Sequence, residues 1–379
     1  MRIKEIELRE IQMRRKTPFT SSRGTFQNRR IIIIIVRDFD GNEGFGECTA
    51  GEEPRYCEEW TDSAWYFLES LLIPLILLNS EIEASNINQT MLKYRGNRMA
   101  KAAVEMAIWD LKAKILKLPL WKLLGGVPDP IPCGVALGIS SSIQELLKKI
   151  NLELESGYKR IKLKIEPSSS INIIKQVRKN FPTIPLMVDA NGSFCLNDID
   201  LLKQLDEYDL LMIEQPFMPE DLVTHKIASE IISTKLCLDE TIISLEAANM
   251  VAEFVKCPIF NLKLGRMGGH CESSMVASLC NSWGIESWCG GQHETGLGKA
   301  HNIALASQLV RKIPAELSSS SRYWEKDIIL PEIEVGSDGN LILRDDIGIG
   351  YEIDIEFIES ITVRKKTLNN LNFQNKNTY

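Results

Sequence analysis

Three carboxylates end three consecutive short apolar runs: Asp189 in LMVDAN, Glu214 in LMIEQP and Asp239 in LCLDET. They lie 25 residues apart, twice over. That is about the length of one strand-plus-helix unit, so the three acids belong side by side at one end of a parallel sheet. Carboxylates held that close repel one another unless a cation sits among them. Oxygen ligands in this number suit Mg²⁺, with Mn²⁺ as the alternative, and leave positions for substrate oxygens.

Lysines accompany the acids. RIKLKI places Lys162 and Lys164 two residues apart, on one face of a strand. From this strand alone two orientations stay open: the lysines face the interior, or Ile161, Leu163 and Ile165 do. IFNLKL carries Lys263 near the end of a later strand. Lysines on the strand before the acids and on the strand after them would flank a metal on both sides. That layout suits taking a proton from one face of a carbon while the other face is handled separately. A lysine near a divalent cation is expected to have its pKa lowered toward working pH.

The elements that must position these groups follow from about residue 131. Strands are expected at 135–139, 160–165, 186–191, 211–216, 236–241, 259–264, 285–290 and 315–319, with helical stretches between them. Eight such units close into a barrel. A doubly wound open sheet competes, but no G-x-G-x-x-G follows the first strand. Before this region, 3–15 and 30–37 read as strands, 38–47 as a D-G turn and return strand, and 57–78 and 98–116 as helices. GLGKAHN begins the last barrel helix, where free N–H groups either bind an anion or simply start a helix. The expected organisation is an α+β unit over 1–125, a barrel over 126–325, and a segment over 326–379 that returns to the first unit. The polar stretch 364–379 reads as a disordered tail.

The chain has 379 residues, a net charge of −7 and 25% charged residues, which argues against a nucleic-acid surface. Nine cysteines form no C-x-x-C pair, and MRIKEIELRE has no apolar core of a secretion signal. A cytosolic protein with reduced thiols is expected. The apolar runs at 31–36 and 71–78 are too short to span a bilayer and read as a buried strand and a core helix.

In order and in wording these motifs resemble the enolase superfamily, in its muconate-lactonizing subgroup. Within that subgroup the chain is most similar to the o-succinylbenzoate synthase / N-acylamino acid racemase family. The resemblance rests on the K-x-K of Lys162 and Lys164, on Asp189, Glu214, Asp239 and Lys263, and on MAKAAVEMAIWDLKAK, VDANGS, NLKLGRMGG, GGQHETGLGKAHNIALAS and SSSSRYWEKDIILP. It implies an α/β fold, a modified TIM barrel of (β/α)7β type with an N-terminal α+β capping domain completed by the C-terminal segment. It also implies Mg²⁺ held by Asp189, Glu214 and Asp239, and a small carboxylate substrate meeting that metal. Lys164 would abstract the α proton, Lys162 would assist electrostatically, and Lys263 would stabilise the intermediate or protonate the opposite face. A cytoplasmic homo-oligomer without nucleic-acid or membrane partners is the family habit.

For substrate contacts the resemblance points to Arg23, on a loop at 18–26 that closes over the substrate, to Asn191 and to His293. The family usually has an apolar residue where His293 stands. The mandelate racemase subgroup uses a histidine there as a base, but Lys263 occupies the place where that subgroup needs an acid. Packing or substrate contact is therefore the expectation for His293. Neighbouring dipeptide epimerases carry a D-x-D near the eighth strand; here that region reads AELSSSSRY.

Overall fold

The computed structural model of the protein describes residues 1–22, 24–310 and 313–370. Strands Thr362–Asn369, Ile3–Ser21, Gly24–Asp38 and Glu43–Cys48 form an antiparallel sheet in that order. Residues 364–369 of the expected tail thus pair with the first strand, and 371–379 lie outside the described residues. The run 31–36 is buried on both faces. Ile31, Ile33 and Ile35 pack with the barrel core, whereas Ile32, Ile34 and Val36 pack against the cap helices. The sheet is therefore a middle layer, which explains five isoleucines without alternation.

The expected loop at 18–26 is a hairpin arm instead. Phe19 pairs with Phe26, Thr20 with Thr25 and Ser21 with Gly24. Cross-strand contacts between aromatic and β-branched residues extend the ladder to its tip, where Ser and Gly suggested an open loop.

Helix Arg98–Leu116 matches its expected bounds. Its alanines meet the two glycines of EGFGE: a Cβ on Gly44 or Gly46 would fall 2.0 Å from the carbonyl oxygen of Ala107 or Ala103. Small residues on both elements allow this approach. The helix expected over 57–78 is broken into Thr61–Phe67, a π-helical turn at Leu68–Leu72, and Ile73–Leu77. Pro74 lacks the N–H that would continue the ladder. Among the described residues no helix is long and apolar enough to cross a membrane.

Seven parallel strands follow in chain order: Val135–Leu137, Ile161–Lys164, Leu186–Asp189, Ile213–Glu214, Leu236–Leu238, Ile259–Leu262 and Glu286–Cys289. The eighth expected strand shrinks to a seam. Ala315 bridges to Cys133 on one edge, and Glu316 N donates to Cys289 O on the other. Pro314 and the serines after Leu317 leave no longer ladder to build. The barrel is thus of the (β/α)7β kind, with its cap formed by the antiparallel sheet and its helices.

Three buried glutamates lock helices to distant elements. Glu59 accepts from Met99 N and Ala100 N (2.8 and 3.1 Å) at the start of Arg98–Leu116. Glu105 accepts from His270 N and Cys271 N (2.7 and 2.8 Å) at the start of His270–Trp283. Glu47 accepts from Thr295 N and Gly298 N (3.1 and 2.9 Å) at the start of Gly296–Ala306. Each carboxylate satisfies N–H groups that a helix leaves unpaired. The N-terminus of GLGKAHN is thereby filled by the chain's own acid.

Candidate active site

Period two along four of the barrel strands stacks an apolar residue below a polar one. Met187 lies below Asp189, Met212 below Glu214, Cys237 below Asp239, and Ile259 below Asn261 and Lys263. The lower residues form one small cluster with Trp288. The upper ones carry the site. Leu163 and Ile165 point outward into the helix-packed core, which settles the orientation left open by RIKLKI: the lysines face in.

Asp189, Glu214 and Asp239 come from three adjacent strand ends, are buried, and offer ligand atoms within 4.8 Å of one another. All donors are carboxyl oxygens, the chemistry of a hard divalent cation. The triad suits a metal ion.

Lys162 Nζ lies 3.2 Å from Asp189, 3.1 Å from Glu214 and 2.6 Å from Glu316. Lys164 Nζ lies 2.6 Å from Asp189 Oδ2 and donates to Asn191 Oδ1 at 2.6 Å. Lys263 Nζ lies 2.7 Å from Asp239 Oδ2 and 5.1 Å from the centre of the Tyr56 ring. Arg266 contacts the other oxygen of Asp239, and Asn261 donates to Glu214 Oε1 at 2.7 Å.

Burial, then the charge of Asp189, pushes Glu214 up to about 8. Burial would also raise Asp189 and Asp239, but Lys164 and Lys162 beside the first and Lys263 and Arg266 beside the second hold both below the usual range. Burial alone would lower Lys162 and Lys263, yet Glu214 and Glu316 at one and Asp239 at the other hold both ammonium groups above their ordinary values. At Lys162 and Lys263 the expected lowering assumed a cation that neutralises these acids; the bare carboxylates have the opposite sign.

These lysines border a cavity of about 480 Å³ that also reaches Asn191, Glu316, Arg29 and His293. Asn191, at φ +46°, donates to Glu240 at 3.0 Å and so holds its carbonyl oxygen toward Lys164. His293, at φ +61°, packs between Phe19 and Phe26 (centroids 4.6 and 4.9 Å) and meets Arg15. Arg23 lies outside the described residues. Four groups went unread in the sequence. Asn261 stands two residues before Lys263, the same spacing that exposed Lys162 and Lys164. Glu316 is a lone acid in the eighth-strand position, without the second acid that a D-x-D would supply. Arg266 and Tyr56 come from a helical turn and a cap loop, and no periodicity marks them.

Residues 145–357 match the Enolase C-terminal domain-like family, and residues 3–125 match the mandelate racemase / muconate lactonizing enzyme N-terminal domain. The chain belongs to the enolase superfamily. An o-succinylbenzoate synthase of Geobacillus stearothermophilus is 43% identical over 360 residues, 95% of this chain and 96% of that protein. An N-succinylamino acid racemase of Thermus thermophilus is 40% identical over 363 residues, 96% and 98% of the two chains. A crystal structure of an enolase superfamily member from Listeria innocua superposes with a TM-score of 0.93 at 36% identity, covering 98% of this chain and 100% of that one. This superfamily protein thus keeps a triad suited to a metal and its flanking lysines in the order its motifs announce.

Proposed function

We propose that this protein is an o-succinylbenzoate synthase, a lyase that removes water from 2-succinyl-6-hydroxy-2,4-cyclohexadiene-1-carboxylate to form 2-succinylbenzoate for menaquinone synthesis. The observation that carries the reading is the placement of Lys164 and Lys263 against different members of one buried carboxylate triad, at the edge of one cavity. Relatives aligned over nearly the whole chain bear that name.

Asp189, Glu214 and Asp239 would hold Mg²⁺, which supplies positive charge beside the substrate carboxylate and eases loss of the adjacent proton. Lys164 takes that proton, breaking the C–H bond. It then gives the proton to the hydroxyl leaving from the same face, so that the C–O bond breaks, water departs and the ring becomes aromatic. Lys162 adds positive charge behind Lys164 and offsets the repulsion among the acids. Lys263 offsets negative charge on the opposite face. We take the capping unit to span 1–125 with the segment after 325, the barrel to span 126–325, and the working form to be a cytoplasmic homo-oligomer.

A second reading, N-succinylamino acid racemase, begins with the same abstraction and ends with Lys263 donating a proton to the other face. The identity to the Thermus racemase supports keeping it. An assay with Mg²⁺ on the cyclohexadiene and on N-succinyl amino acids decides between them. Dehydration is expected, and Lys164→Ala should cut turnover of either substrate by at least about 100-fold. Turnover retained in Lys164→Ala removes it as the base; wild-type activity on the amino acids alone replaces the synthase by the racemase.

A further inference from the structure

In the cavity wall that holds His293 and Arg29, Arg29 makes no ion pair among the described residues, although Glu52 lines the same cavity. Arg29 is 6% exposed and lines the cavity. Its Nη2 donates to Thr49 O at 3.1 Å, and among the described residues its Nε has no partner and no ion pair engages it. Glu47, Glu52 and Glu294 act on it from farther away, but each is otherwise engaged. Glu47 caps a helix, Glu52 accepts from Arg30 N, and Glu294 accepts from Gln292 N and Asn302. Arg15, 3% exposed, stands behind the wall against the Tyr323 ring at 4.4 Å, again without an ion pair among the described residues. A buried guanidinium with unused donors is costly unless something acidic comes to it.

His293 completes the wall. Arg15 Nη1 lies 2.8 Å from His293 Nδ1, and a guanidinium can only donate. Nδ1 is therefore the acceptor, and the ring proton sits on Nε2. Among the described residues Nε2 has no hydrogen-bond partner, and the side chain borders the cavity. Burial, with Arg15 and Arg29 next, keeps the imidazole neutral far below its ordinary range. Lys164 and Lys263 act on the same ring, so the wall and the reacting end share one space.

We infer that Arg29 and His293 form a subsite for a second acidic group of the substrate, a carboxylate at the end of a short tail, with His293 as a hydrogen-bond donor held in one tautomer by Arg15. The subsite rests on the proposed reading that the first carboxylate sits at the acid triad. It gives the cavity two anion-seeking ends, with the reacting carbon between them. It also excludes His293 as a base, because the nitrogen that would accept a proton already accepts from Arg15.

The test compares binding of 2-succinylbenzoate with that of 2-(4-methylpentanoyl)benzoate, whose tail has the same shape but ends in an apolar group, by calorimetry with Mg²⁺ present. Wild type should bind the acid-ended tail roughly 10- to 100-fold more tightly. Arg29→Met and, independently, His293→Leu should each shrink that ratio several-fold. His293→Leu, whose residue is only partly buried, keeps the test open should Arg29→Met fail to fold. A wild-type ratio near one, binding of neither compound, or equal weakening of both by the variants overturns the subsite. Absence of dehydration by wild type would instead remove the proposed reaction while leaving the binding ratio to decide the subsite. Imidazole ¹⁵N NMR reads the tautomer: a proton on Nε2 is expected, and a proton on Nδ1 overturns the role given to Arg15.

Discussion

Replacing Lys162 by methionine keeps the length of the side chain and removes its charge. Lys162 lies 2.6 to 3.2 Å from three carboxylates and is 2% exposed. At an effective dielectric near 20, each contact is worth about 5 kcal/mol of gross attraction. Desolvating the ammonium takes back several kcal/mol, so the sum of roughly 15 kcal/mol is no measure of stability. What decides the outcome is the state left behind: Asp189, Glu214 and Glu316 stay buried with one neutralising charge fewer. Breaking a buried pair from one side costs about 3–5 kcal/mol. For a chain of this length the unfolding entropy is near 0.8 kcal/mol per degree, so the melting temperature should fall by about 4–6 °C. The assay is thermal unfolding in a chelator and again with excess Mg²⁺. Mg²⁺ should restore about 2–3 kcal/mol at a hundredfold excess over its Kd, because the divalent charge binds folded protein alone. A variant as stable as wild type in chelator would show that Lys162 does not neutralise those acids, and the inward orientation of the strand would fall with it.

Lys263→Ala should abolish racemisation of N-succinyl amino acids. Proton NMR in D₂O should show exchange of the α proton persisting for one enantiomer, through Lys164; equal exchange of both would contradict a base on each face. Glu47, Glu59 and Glu105 each have a folded pKa pushed up to about 7 by burial, from an ordinary 4.5. Between those values the folded state holds more protons than the unfolded one. Their contribution is therefore present below about pH 4.5 and lost as pH rises through about 7, by up to about 3 kcal/mol per group. Glu105→Gln should flatten the fall of unfolding free energy between pH 5 and pH 8; an unchanged slope would refute the assignment.

Periodicity served best where one element meets one environment. Helix Arg98–Leu116 was readable to the residue, and the acids at strand ends stood out because polar residues close otherwise apolar runs. The arm at 18–26 was misread because Ser and Gly signal a turn locally, whereas its Phe and Thr pairs depend on the opposing strand. The eighth strand is shorter than its text suggests for the opposite reason: 315–319 looks extended, but among the described residues only Ala315 and Glu316 of that stretch have backbone partners on the two edges of the seam.

By itself the sequence determined the class of chemistry: a strand-and-helix repeat, acids at three successive strand ends, and lysines on the strands before and after them. These are local properties, set by side-chain type and a period of two or 25. Tertiary structure alone decided which way RIKLKI turns, how Tyr56 from the cap and Arg266 from a helical turn reach Asp239, and how Arg15 meets His293 from 278 residues away. Closure of the barrel and docking of the cap bring those groups together, and no spacing along a chain encodes a contact that only closure creates.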